Sequence, residues 1–255
     1  MLQSQQLLAL LLIASVFLVI GSQERMAEPR IIGGHVARIS HLKYLVQVLS
    51  NDAICGGSLI TKRWVISAAH CVHNVPTNSL RVYGGTSEQG AQNGIQRSVT
   101  FLAVPRQFRM NTMHMDVAAL YLNQDMVGPN VATIRLAFQP APPGSLVRVS
   151  GWGATSRDSR QTARVVHSVT LPLWPNGACR EAYSGQWQIT RSMVCAGKSF
   201  QRDSCDGDSG GPMVYRGELI GIVSFGNECA TLEPGVYTSV PVIRRWFLDI
   251  MAEYS

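Results

Sequence analysis

Short apolar runs recur along the chain beyond residue 30, and turn-forming residues separate them. Many of these runs are rich in Val, Ile, Tyr and Thr, and Gly, Pro, Asn or Asp lie at their ends, which is the pattern of β-strands. Many short strands are typical of an all-β barrel or sandwich, and periodicity alone does not choose between the two. The predicted strands include Leu45–Leu49, Ser58–Ile60, Trp64–Ser67, Leu80–Tyr83, Val117–Leu122, Leu146–Gly151, Val165–Leu171, Met213–Val214 and Leu219–Phe225.

One late segment has helical rather than strand periodicity. Val242, Trp246 and Ile250 recur every four residues, and Phe247 lies beside them on the same face. This spacing predicts an amphipathic C-terminal helix over about 242–251. The chain shows no internal repeat of 20–50 residues and no second module.

The first apolar run, Leu7–Ile20, contains no charged residue and is followed by the small pair Gly21-Ser22. It is shorter than the roughly 20 residues that a membrane-spanning helix needs. We therefore expect a signal peptide over 1–22, although no Lys or Arg precedes the run. A signal anchor or a buried helix is the alternative. A signal peptide implies a secreted, extracellular protein, in which disulfides are plausible.

Composition excludes several classes of protein. The 255 residues are 46% hydrophobic and 15% charged, which is enough apolar material for a large core and too much for a disordered chain. The formal net charge is +6, but the basic residues are dispersed and have no aromatic residues interleaved with them. We favour a solvated surface over an anion-binding patch and expect no nucleic-acid partner. The six cysteines permit three disulfides.

The segment 207–212 is the first candidate for chemistry. Ser209 lies among glycines, where regular strand or helix is unfavourable and where backbone N–H groups can point at one spot. Such a loop can expose a nucleophilic hydroxyl and stabilise an oxyanion. A plain surface turn is the alternative interpretation of this segment alone.

A serine nucleophile needs a base, and two further segments offer one and its partner. His70, in Ser67–Cys71, can accept the hydroxyl proton. Asp116 begins an apolar run, and a carboxylate there needs a partner such as a histidine N–H. An Asp that caps a strand at a turn is an equally good interpretation of this residue. The chain contains no HExxH pair and no zinc-like Cys/His spacing, so we expect no metal and no cofactor.

A fourth segment carries a possible processing site. Cleavage after Arg30 would create a new amino group on Ile31, the first residue of Ile31-Ile32-Gly33-Gly34. A hydrophobic residue that carries a fresh positive charge could dock inward against a carboxylate.

Taken together, these four segments resemble the trypsin/chymotrypsin family of serine proteases. The order His70, Asp116, Ser209 is the family's order, and the similarity extends from Ile31 to about Ala252. The resemblance implies an all-β fold of two packed six-stranded antiparallel β-barrels followed by a C-terminal α-helix. It divides the chain into the signal peptide, an activation propeptide over 23–30 and a peptidase domain over 31–255. Barrel one would span about 31–140 and barrel two about 141–240.

The resemblance also implies a role for each site residue. Ser209 would attack the scissile carbonyl, His70 would shuttle the proton, and Asp116 would orient the imidazole. The N–H groups of Gly207 and Ser209 would form the oxyanion hole. The protein would be a zymogen, activated when Arg30 is cleaved and the Ile31 ammonium pairs with Asp208.

Cleavage after Arg or Lys is the expected specificity, because Asp203 occupies the position of the pocket floor in trypsin-like members. Ser224, Gly226 and Gly235 match other positions of the substrate pocket. Three residues near this pocket depart from the family pattern: Phe225, Glu228 and Asp206. Glu228 and Asp206 add negative charge around the entrance, so we expect a strong preference for basic residues with narrower access. The alternative is that the loop before Pro234, which is one residue shorter than usual, deforms the pocket and weakens cleavage. An elastase-like or chymotrypsin-like specificity is the alternative.

Several further expectations come with the resemblance. Substrates would be proteins or peptides, and partners would include protein protease inhibitors and an activating protease. We expect a monomer that does not bind a membrane. No calcium site is expected over Tyr83–Val99, because Glu88 is its one acidic residue. The alternative function is a catalytically weak or inactive protease homologue that acts as a binding or regulatory protein. The disulfides expected by resemblance are Cys55–Cys71, Cys179–Cys195 and Cys205–Cys229.

Overall fold

The computed structural model describes residues 34–50, 53–90, 93–154, 161–197, 207–226 and 233–254. Strands dominate this part of the chain, with two α-helices and two short 3₁₀ turns at Ile39–His41 and Thr77–Ser79. The helices are α1 (Asn176–Ala182) and α2 (Val240–Glu253). The strands are β1 (His35–Val36), β2 (Leu45–Leu49), β3 (Ile54–Leu59), β4 (Trp64–Ser67), β5 (Arg81–Gly84), β6 (Ile95–Ala103), β7 (Ala118–Leu122), β8 (Arg135–Leu136), β9 (Leu146–Gly151), β10 (His167–Pro172), β11 (Met193–Ala196), β12 (Pro212–Tyr215), β13 (Glu218–Phe225) and β14 (Gly235–Ser239).

The first six-stranded unit is a closed antiparallel barrel in the order β2-β3-β4-β7-β6-β5. Its strands alternate inward apolar residues with outward residues, and Val46, Val65, Val82 and Leu120 fill the interior. The β4–β7 pairing aligns Ser67 with Ala118. The residues directly after β4 and directly before β7 therefore meet at the same end of this barrel.

The sheet of the second unit also closes, because its first and last strands meet. Its strands follow the order β10-β9-β12-β13-β14-β11, and an isolated antiparallel bridge joins Leu173, directly after β10, to Ala196 at the end of β11. At this junction Trp174 N–H donates to the Cys195 carbonyl at 2.8 Å. The sequence-based prediction of an all-β fold with two six-stranded barrels and a C-terminal helix is confirmed.

Two short strands from the polypeptide of the first unit pair with strands of the second unit. Although β1 and β8 lie within 31–140, β1 pairs with β10 and β8 pairs in parallel with β13. The second sheet therefore has eight strands, and the polypeptide of the first unit contributes two of them. Strands β6, β11 and β14 and helix α1 also lie outside the predicted segments.

Helix α2 packs its apolar stripe onto the first barrel. Its buried residues are Val240, Ile243 and Phe247, and they join the core of that barrel. Directly after the helix, the Tyr254 ring stacks on Phe101 with 4.0 Å between the ring centroids. Burial of a side chain such as Phe247 stabilises the fold by about 1.5–3 kcal/mol. Among the described residues, no helix is long and apolar enough to cross a membrane.

Candidate active site

Asp116 lies at the centre of a hydrogen-bond cluster between the two barrels. Its carboxylate is 0% exposed. Oδ1 accepts the backbone N–H of His70 at 2.9 Å, and Oδ2 lies 2.8 Å from His70 Nδ1. Ser224 Oγ donates to the same Oδ2 at 2.5 Å. Because a carboxylate only accepts hydrogen bonds, the contact with Oδ2 requires the hydrogen atom to be on Nδ1.

The barrel register explains why His70 and Asp116 meet. His70 follows β4 after two buried alanines, and Asp116 precedes β7, so both lie at the end of the barrel where Ser67 pairs with Ala118. Ser67 Oγ donates to the Gly56 carbonyl at 2.7 Å, which fastens the end of β4 to β3. The imidazole itself is 18% exposed, so part of the ring remains accessible to solvent.

The loop that carries Ser209 lies directly against β3. Gly56 N–H donates to the Ser209 carbonyl at 2.7 Å. Gly207 and Gly210 have φ angles of 94° and 78°, in the region that favours glycine. On the other side, Gly210 N–H donates to the Val223 carbonyl at 2.8 Å. These contacts hold the loop that carries Ser209 between β3 of the first barrel and β13.

The hydroxyl of Ser209 is not hydrogen-bonded to His70. Within the described ranges, Ser209 Oγ has no hydrogen-bond partner, and His70 Nε2 lies 3.7 Å from Cys71 Sγ. In the same part of the chain, the N–H groups of Gly207 and Ser209 donate to no other group. Hydrogen bonds between catalytic groups are often long in ligand-free structures and shorten when substrate binds.

Asp208 anchors the other side of this loop. It is fully buried, and its Oδ1 accepts the Gly153 N–H at 2.8 Å. Gly151 and Gly153 lie against the carboxylate so closely that a Cβ atom at either position would overlap it. The glycines around Trp152 thus form a crevice that fits one carboxylate.

Comparison with known families identifies the family of this chain. The family model described as Trypsin matches residues 31–247. The chain belongs to the trypsin family. It is a serine endopeptidase that acts on proteins or peptides. The alternative of an inactive binding homologue has no support in this comparison.

Individual relatives agree with this assignment. The trypsin-family chain is 41% identical to Seminase of Drosophila melanogaster over 221 residues, covering 85% of this chain and 80% of the relative. It is 35% identical to Trypsin-3 of Salmo salar over 228 residues, covering 88% and 94%. It is 37% identical to the Vitellin-degrading protease of Bombyx mori over 227 residues, covering 87% and 85%.

The substrate-pocket residues are described only in part. Gly235 is buried where β14 pairs with Ala196, and Gly226 is exposed at the end of β13. Ser224, which the resemblance assigns to substrate binding, donates its hydroxyl to Asp116. Phe225 packs against Trp187, with 4.8 Å between the ring centroids. Residues that lie outside the described ranges are Arg30, Ile31, Asp203, Cys205, Asp206, Glu228 and Cys229.

Two of the expected disulfides are present. Cys55 is bonded to Cys71 and Cys179 to Cys195. The first of them joins β3 to the residue after His70 and so restrains the histidine loop. Cys55, His70 and Cys71 form a group whose ligand atoms lie within 4.8 Å of one another. Because both sulfurs are in the disulfide, neither is a thiolate that could bind a metal ion.

A glutamine side chain fills the turn at 86–90. Gln47 is fully buried, its Nε2 donates to the Glu88 carbonyl at 2.7 Å, and its Oε1 accepts the Gly90 N–H at 2.8 Å. Glu88 itself is exposed. The buried amide satisfies the backbone groups inside this turn, where carboxylates would be needed for calcium. The absence of a calcium site over Tyr83–Val99 stays a prediction.

Proposed function

We propose that this trypsin-family peptidase is a secreted zymogen that cleaves after Arg or Lys with a triad of His70, Asp116 and Ser209. The observation that carries this proposal is the fully buried Asp116 carboxylate, which accepts hydrogen bonds from both the backbone N–H and the Nδ1–H of His70. A buried carboxylate that holds one imidazole in one tautomer is the arrangement that a general base requires.

The triad would act in two steps of acyl transfer. Ser209 Oγ attacks the carbonyl carbon of the scissile bond while His70 Nε2 takes the hydroxyl proton. Asp116 stabilises the imidazolium without taking its proton. His70 then gives the proton to the leaving amine, and water, activated by the same imidazole, releases the acyl group from Ser209.

The backbone around Ser209 would stabilise the tetrahedral intermediate. The N–H groups of Gly207 and Ser209 donate to no other group in the described part of the chain, so both can donate to the oxyanion. Removal of one such donor typically slows catalysis by about 10²–10³-fold. The positive φ of Gly207 allows its amide to turn toward the same point as that of Ser209.

Activation would act through Asp208. A fully buried carboxylate is stable when hydrogen bonds and a positive charge compensate it. Gly153 N–H is one of its partners, and we assign the Ile31 ammonium, released by cleavage after Arg30, as another. Since Asp208 lies between Gly207 and Ser209 in the chain, its capture by the new amino group would order both oxyanion-hole amides.

Secretion and partners follow from the same proposal. The Leu7–Ile20 run would direct export as part of a signal peptide over 1–22, and residues 23–30 would form the propeptide. The secreted monomer would meet an activating protease that cuts after Arg30. Once active, it would be open to protein inhibitors that occupy the cleft between the barrels.

Labelling with a serine-directed organophosphonate tests the triad and the activation step together. We expect one label per chain, on Ser209, after cleavage at Arg30, and labelling about 100-fold slower or more before cleavage, because the oxyanion hole is then incomplete. Peptide mass spectrometry locates the label, and Ser209→Ala is the control that should take up none. A fully cleaved protein that remains unlabelled contradicts the proposal.

Specificity is tested on peptides that carry Arg, Lys, Phe, Ala or Glu before the scissile bond. If Asp203 forms the pocket floor, the cleaved enzyme should prefer Arg and Lys by about 100-fold or more in kcat/KM. Asp203→Ser should abolish that preference while labelling of Ser209 persists. Faster cleavage after Phe than after Arg would refute the basic-pocket assignment and leave the triad untouched.

A further inference from the structure

A polar cluster joins the loop before Asp116 to the second barrel. His114 Nδ1 lies 3.0 Å from Thr190 Oγ1 and 3.1 Å from Ser192 Oγ. The two hydroxyl oxygens are 3.0 Å apart, so the three groups form a closed triangle. Ser192 is buried, and His114 and Thr190 are half-buried. Hydroxyls both donate and accept, whereas Nδ1 has a single hydrogen-bonding site, so the ring nitrogen shares one bond between the two hydroxyls while these bond to each other.

The cluster continues into the backbone of the next two residues. Met115 N–H donates to Ser192 Oγ at 3.2 Å. Thr238 Oγ1, on β14, donates to the Asp116 carbonyl at 2.7 Å. His114, Met115 and Asp116 are therefore all hydrogen-bonded to the second barrel, while the Asp116 carboxylate accepts hydrogen bonds from His70 of the first barrel and from Ser224 of the second.

The same turn contains an unfavourable backbone. Met113 and Met115, on either side of His114, have φ angles of 52° and 55°. This left-handed region is unfavourable for residues with a Cβ atom, and such residues persist where surrounding contacts hold them in place. The Met115 N–H bond to Ser192 and the bonds of the His114 imidazole act directly on this strained stretch. Without them, the turn can relax and carry Asp116 away from His70.

We propose that His114 is a positioning residue for the peptidase reaction. Through Thr190 and Ser192, its imidazole holds the strained turn so that the Asp116 carboxylate meets both N–H groups of His70. His114 is not itself a catalytic residue, because its contacts are to the loop and to the second barrel. The inference rests on the proposed function, in which Asp116 is the acid of the triad.

The test measures kcat per labelled active site in cleaved enzyme. His114→Ala should lower this kcat about tenfold with a KM within twofold of wild type, because a small misplacement of the acid affects the chemical step. His114→Asn can place an amide near the position of Nδ1 and should recover most of the loss. Exposed His41, on the turn Ile39–His41, provides the control variant His41→Ala, which should match wild type.

A double-mutant cycle with Ser192→Ala examines the proposed route. If His114 acts through Ser192, the double variant should be no slower than the slower single variant. A wild-type kcat per labelled site in His114→Ala overturns the proposal, and so does the loss of all labelling in both His114 variants, since the residue would then serve folding alone. Failure of the proposed function is recognised separately, because cleaved wild-type enzyme would then take up no label.

Discussion

Replacement of Asp116 by asparagine is expected to lower kcat by about 10⁴-fold, the size of effect known for this substitution in serine peptidases with the same triad. Both carboxylate oxygens accept hydrogen bonds: Oδ1 from the His70 backbone, and Oδ2 from His70 Nδ1 and Ser224 Oγ. An amide offers one oxygen, and its NH₂ group must face one of these donors. The imidazole then reverses its tautomer, and Nε2 carries the proton that it should accept.

Active-site titration followed by steady-state kinetics measures this loss. Asp125→Asn is the matched control, because Asp125 is an exposed acid whose only ion pair in the described structure is a 3.9 Å contact with Lys62. Exposed pairs of this kind contribute roughly 0–1 kcal/mol, so the control should keep both its melting temperature and its kcat. Near-wild-type activity in Asp116→Asn would remove Asp116 from the triad.

The second large effect is expected for Gly56→Ala, which should lower kcat by about 100-fold. A Cβ atom at Gly56 would lie 2.7 Å from Gly211 Cα and 2.8 Å from Gly211 N. Both are backbone atoms of the loop that carries Ser209, so the loop must move rather than a flexible side chain. Displacement of the nucleophile by about 1 Å can cost about 10²-fold in rate.

The neighbouring Gly57→Ala separates this effect from simple destabilisation. A Cβ at Gly57 would contact methyl groups of Val46, Val48 and Val65 at 3.0–3.1 Å, inside the barrel. Overpacking of this kind costs about 1–3 kcal/mol of stability. We expect Gly57→Ala to melt earlier with an unchanged kcat per labelled site. Equal kcat values for the two variants would disprove the steric account of Gly56.

Much of the fold could be predicted because most strands are short apolar runs between turn residues. The strands that escaped prediction lack that signal. Strand β6 carries Gln96, Arg97, Ser98 and Thr100 among its nine residues, and β14 is fully buried although it contains Gly, Thr and Ser. Their stability comes from pairing with neighbours on both sides, which a local pattern does not record.

The candidate site likewise contains residues that the sequence predicts and contacts that it does not predict. His70, Asp116 and Ser209 lie in recognisable local motifs, and their order along the chain was informative. The Ser224–Asp116 bond spans 108 positions, and the His114–Ser192 contact spans 78. The resemblance assigns Ser224 to the substrate pocket, and nothing near it in sequence points to a carboxylate in the other barrel.

The exchange of segments between the barrels has a mechanical consequence. Strand β1 precedes the first barrel but pairs with the second, and the helix that follows the second barrel lies with Tyr254 on the first. Each barrel therefore packs against a segment of chain that belongs to the other barrel. In the proposed function a substrate strand enters between walls whose separation is set by covalent continuity and side-chain packing, so we expect hydrolysis to proceed without a hinge motion between the barrels.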